Sequence, residues 1–115
     1  MKREFSFFLE DILESISLIK SSPNNLTKDR FLKSRDIQDA TARRLEIIGE
    51  AVKHIPPKIR EKYPDIPWKD ISSTRDVLSH AYFEINLPKI WKIIELDLPL
   101  LERQIMEIKE KECPS

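Results

Sequence analysis

Residues 34–57 read SRDIQDATARRLEIIGEAVKHIPP, and this stretch decides the fold. Ile37, Ala40, Leu45, Ile48, Val52 and Ile55 recur close to the helical period, marking the buried side of one long amphipathic helix. The helix should begin at Ser34 or Arg35 and run to Ile55. Pro56-Pro57 then stops it, because proline lacks an N–H and pushes the residue before it out of the helical region. Gly49, the chain's only glycine, sits mid-helix, where it costs about 1 kcal/mol relative to alanine. A glycine kept there marks a close helix crossing, either within a bundle or at a dimer seam.

The flanks repeat the pattern. Phe5, Phe8, Leu9, Ile12, Ile16 and Ile19 give the apolar stripe of a first helix over roughly residues 3–21. A loop, Ser21-Ser22-Pro23-Asn24-Asn25, ends it. Thr27 is placed to cap a short helical turn through about Lys33. After the long helix, residues 57–68 read as irregular, with a turn of helix across Lys58–Lys62. Trp68 is expected to pin this stretch to the core. A helix from about Trp68 to Ala81 follows, with Ile71, Val77 and Leu78 inward. Asn86 should cap the last helix, with Pro88 in its first turn. Its stripe is Ile90, Trp91, Ile94, Leu98, Leu101, Ile105 and Ile108, kinked near Pro99. Beyond Lys109 the tail is polar, and residues 110–115 are expected to fray. Four main helices with short connections predict an all-α, antiparallel up-and-down four-helix bundle with short extra turns. The 115 residues suit a single domain.

Composition narrows the function. Twenty acidic and twenty basic residues cancel, so any nucleic-acid contact has to come from a local patch. The lone Cys113 cannot form an internal disulfide, which fits a reducing cytoplasm. No apolar run reaches the length of a membrane span, and no signal peptide is evident. Two histidines, His54 and His80, and one cysteine make a His/Cys zinc site improbable, and neither a metal nor another cofactor is expected. His54, in the last turn of the long helix, reads as a cation favoured by the helix dipole. Arg43 and Arg44, with Arg35 and Lys53, offer a basic strip for RNA phosphates. Glu46 and Glu50 sit among them, so a mixed-charge solvated face is the competing reading.

Capable side chains converge in one place, Arg75-Asp76-Val77-Leu78-Ser79-His80-Ala81-Tyr82. On a helix, Asp76 and His80 share a face, and a carboxylate there fixes which imidazole nitrogen is free. Arg75 supplies a planar, permanently charged donor suited to phosphate. Arg75 and His80 are five residues apart, roughly 140° around a helix axis. Either the helix ends near His80 or a second subunit closes the site.

The Arg-x4-His-x-Tyr spacing resembles the signature of the HepT-like toxins in the HEPN superfamily, small helical ribonucleases. Arg35–Ala40, Leu45–Ala51, Tyr63–Trp68 and Asp97–Pro99 resemble the family's segments in the same order, so the likeness covers roughly residues 5–110. Ser72-Ser73 departs from it, standing where a glycine is expected. The resemblance implies a metal-independent endoribonuclease toxin of a type VII-like toxin–antitoxin pair, working in the cytoplasm as a homodimer. Arg75 and His80 would be catalytic and Asp76 orienting. The cognate antitoxin would be a minimal nucleotidyltransferase that adds AMP to Tyr82. RNA is the expected substrate, with no DNA and no membrane partner. A rival reading is a non-catalytic helical subunit that presents substrate or nucleotide to such a nucleotidyltransferase. The Arg75/His80 pair favours the enzyme, since an adaptor has no use for both.

Overall fold

The computed structural model describes residues 4–21, 25–73 and 86–113. The elements are α1 (Glu4–Ser21), α2 (Lys28–Lys33), α3 (Arg35–Lys53), α4 (Pro57–Lys62), α5 (Trp68–Ser72) and α6 (Leu87–Lys92). A π-helical turn (Ile93–Asp97) then leads into α7 (Leu98–Glu112). The fold is all-α, with no strand among the described residues.

The long helices are antiparallel, and their cross-helix contacts show it. Lys20 near the end of α1 reaches Glu102 of α7 at 2.9 Å, while Glu10 near its start pairs with Lys109. Phe8 of α1 stacks on His54 just past α3, with ring centroids 4.5 Å apart and planes 11° from parallel. The expected stripe of α1 is the centre of the core: Leu9, Ile12 and Ile16 are fully buried. Phe31, Val52, Ile55, Ile105 and Ile108 meet them there. All seven stripe residues of the last helix are buried as well.

The caps follow local chemistry. The Thr27 hydroxyl accepts from the Arg30 N–H and the Ser34 hydroxyl from the Ile37 N–H, each at 3.2 Å. Side-chain oxygens there satisfy amide donors that the first turn leaves without partners. At the end of α1, Asn25 adopts φ 67°, a left-handed conformation that asparagine tolerates better than most residues. At the start of α6, Asn86 holds the N-cap position as expected but makes no side-chain cap hydrogen bond. Its carbonyl accepts the first intrahelical bond, from the Ile90 N–H at 3.0 Å.

Three details correct or refine the expectations. Ala40 is exposed, and Gln38 and Thr41 are buried in its stead. Gln38 turns inward because its amide donates to the Phe31 and Leu32 carbonyls at 2.9 and 3.3 Å, satisfying the end of α2 and fixing α2 against α3. At Pro99 the last helix adjusts through the π turn, whose closing bond runs from the Leu98 N–H to the Ile93 carbonyl. Proline has no N–H to give Glu95, and the wider turn absorbs the missing i→i−4 bond. Thirdly, α7 continues past Lys109 to Glu112.

Glu112 is held from outside its own helix. Its carboxylate accepts from the Tyr63 hydroxyl at 3.0 Å and from the Lys62 ammonium at 3.2 and 3.3 Å. The Tyr63 hydrogen bond, then Lys62, holds Glu112 below its ordinary range. Burial first, then Glu112, pushes Tyr63 up to about 12 from 10. An unfolded tyrosine ionises near 10, so this contact is intact below that pH and is lost as pH rises from 10 to 12. Urea midpoints should therefore fall across that window in the native chain and fall less in Tyr63→Phe. Identical alkaline profiles for the two proteins would contradict the contact.

Candidate functional site

Arg75, Asp76, His80 and Tyr82 lie outside the described residues, as do Val77 and Leu78. The structure describes the scaffold that leads into them. Trp68 opens α5 with its indole buried. The indole N–H donates to the Tyr63 carbonyl at 3.0 Å and to the Arg60 carbonyl at 3.2 Å. An aromatic body in the core with its polar edge satisfied is a firm anchor, as the sequence led us to expect. α5 packs on α3, and its far end is closed by serines. The Ser72 and Ser73 hydroxyls both donate to the Lys69 carbonyl, at 2.9 and 2.7 Å. Ser73 has φ −85°, so no glycine is required at that residue.

Ser72, three residues before Arg75, lines a groove of about 380 Å³ between α1 and α3. Phe8 and Asp11 form one wall and Arg43, Glu50 and His54 the other, with Gly49 in its lining. The glycine thus lies where α1 and α3 come together, in keeping with a close crossing inside the bundle. His54 is stacked on Phe8 and half exposed, its Nε2 3.9 Å from the Glu50 carboxylate.

The proposed basic strip on α3 divides. Arg43 is bound to Glu46 at 2.6 Å, Lys53 lies 3.7 Å from Glu50, and Arg35 lies 3.6 Å from Asp39. These pairs are the mixed-charge face, each cation facing a carboxylate three or four residues away. Arg44 opens onto a different depression, beside Leu18, Ile19 and Thr41. Arg43 and Arg44 therefore do not share one groove. Among the described residues no three or more of His, Cys, Asp and Glu gather into a metal-holding group. No helix among those residues is long and apolar enough to cross a membrane.

The model of the "Ribonuclease HepT-like" family matches residues 12–108. The chain belongs to the HepT-like ribonuclease family. Similar proteins include a "Putative RNase" of Methanocaldococcus jannaschii, 44% identical over 93% of this chain and 88% of that one. The "Probable ribonuclease HepT" of Thermococcus cleftensis is 38% identical over 96% of this chain and all of its own length. A second protein of M. jannaschii, "Gamma-glutamylcyclotransferase and putative RNase", is 42% identical over 96% of this chain, which spans half of its length. No solved structure matches this HepT-like chain.

Proposed function

We propose that this protein is a metal-independent endoribonuclease, the toxin of a toxin–antitoxin pair in the cytoplasm. The observation that carries the reading is the Arg75-x4-His80-x-Tyr82 pattern inside a chain of the HepT-like ribonuclease family. Cleavage without a metal needs a base for the 2′-hydroxyl, an acid for the leaving oxygen and a cation for the phosphorane. The 2′-oxygen attacks phosphorus, the bond to the 5′-oxygen breaks, and a cyclic phosphate and a 5′-hydroxyl result. His80 moves the protons, its unperturbed pKa near 6.5 suiting neutral pH. Asp76 orients the ring, and Arg75 holds the phosphate charge. Arg44 is a further candidate contact for RNA, and Arg43 a weaker one because Glu46 offsets its charge.

One histidine cannot be acid and base in the same step, so a homodimer supplies the second. An apolar groove of about 280 Å³ beside α5 supports this arrangement, with Ile71, Ile93 and Leu98 among its lining residues. Leu100 on its rim and Leu96 one turn earlier are 48% and 62% exposed. Apolar surface of this kind, next to the helix that leads into the motif, suits a second copy.

The antitoxin in this reading is a minimal nucleotidyltransferase that attaches AMP to the Tyr82 hydroxyl. The added anion competes with RNA phosphate for Arg75 and blocks the path to His80. Co-expression with that enzyme should raise the intact mass by whole AMP units localised to Tyr82, and silence the nuclease. Tyr82→Phe should stay active and unmodified. The same adduct on Tyr82→Phe, or none on the native chain, would refute the regulation.

A further inference from the structure

Helices α2 and α6 pack side by side. Phe31 and Trp91 join them, with ring centroids 5.8 Å apart and both side chains buried. The charged residues of this pair are nearly all basic. Lys28, Arg30 and Lys33 on α2 and Lys89 and Lys92 on α6 stand against one carboxylate, Asp29. Asp29 is taken by Lys33 at 3.2 Å, and an Arg30 guanidinium N–H reaches the Asn25 carbonyl at 3.4 Å. Lys28, Lys89 and Lys92 are exposed, with no ion-pair partner among the described residues.

In a chain of zero formal charge, this is segregation. α1 carries four carboxylates against the single Lys20, and the π turn after α6 brings Glu95 and Asp97, where the basic surface ends. The cations of α3 are different, because Arg35, Arg43 and Lys53 each face a carboxylate of their own helix. The position of the α2–α6 pair also matters. α6 starts at Leu87, directly after the segment that holds Arg75, His80 and Tyr82.

We infer that the α2–α6 pair is the docking surface for the backbone of single-stranded RNA, with Lys89 and Lys92 as its phosphate contacts. The inference rests on the ribonuclease reading and adds to it where the substrate strand lies. Lys89 and Lys92 are three residues apart and therefore neighbours on one helix face. Lysine meets phosphate as a point charge with rotatable donors, so these contacts position a strand without reading its bases.

Binding of a fluorescent single-stranded RNA to full-length His80→Ala protein, followed by anisotropy against salt, tests this. Each phosphate contact contributes about 0.7 to the salt slope for a single strand, so Lys89→Ala/Lys92→Ala should flatten it by about 1.4. The same slope gives a loss of about 25-fold in affinity at 0.1 M salt relative to 1 M. Lys109→Ala/Lys111→Ala makes the same charge change at the other end of the bundle and should leave both quantities unaltered. Equal affinity and slope in the Lys89/Lys92 variant and its parent would overturn the docking surface while leaving the ribonuclease reading intact. If neither the native chain nor the parent binds RNA, and the native chain does not cleave it, both readings fall together.

Discussion

His80→Ala is expected to slow RNA cleavage by at least about 10²-fold, the lower end of what a positioned acid or base contributes. Arg75→Ala should cost at least as much, because it removes the cation facing the developing phosphorane charge. The two losses differ in kind. Removing the imidazole abolishes proton transfer and flattens the pH–rate profile near neutrality. Removing the guanidinium leaves that profile in place at a lower rate. Helical content by circular dichroism serves as the check on folding. Activity that survives both substitutions would show that these two side chains do not carry the cleavage. A native chain that binds RNA without cleaving it would move the protein to the binding-subunit reading.

Trp68→Ala is the substitution expected to cost the most stability, about 3–5 kcal/mol, as for other large aromatic residues cut down to alanine in a core. Two effects add. The buried ring leaves a cavity at the junction of α4 and α5, and the Arg60 and Tyr63 carbonyls lose their indole donor. Trp68→Phe separates them: most of the apolar volume stays, and the cost falls to about 1–3 kcal/mol for the stranded carbonyls. Urea unfolding measures both. Because Trp68 starts the helix that leads into the motif, the alanine variant should also lose nuclease activity at temperatures where it remains folded. A Trp68→Ala protein within about 0.5 kcal/mol of the native chain, the range of ordinary surface substitutions, would show that this residue is no anchor.

Much of the bundle could be read from spacing alone, because burial on a helix leaves a periodic mark. The stripes of α1 and of the last helix are in the core, except for Phe8, which is half-buried and packs against it. Thr27 caps the helix it was expected to cap, and Ser34, read only as a possible start of α3, turns out to cap it. The misreadings arose where polar side chains took tertiary partners. Gln38 looks like a surface residue and is buried, because two backbone carbonyls seven and six residues earlier need donors. Glu112 looks like part of a loose tail and is tied to Lys62 and Tyr63 across some fifty residues. No local periodicity encodes such pairings. At the candidate site the motif was found by residue type and spacing. The α2–α6 basic surface was missed because its five cations are split between two segments far apart in sequence, in a chain whose total charge is zero.

Cleavage of single-stranded RNA by the purified native protein is expected to persist in excess EDTA. Rates should be the same with and without the chelator, the downstream product should carry a 5′-hydroxyl, and His80→Ala should show no cleavage beyond background under the same conditions. Activity that disappears with EDTA and returns with magnesium would contradict the metal-independent mechanism.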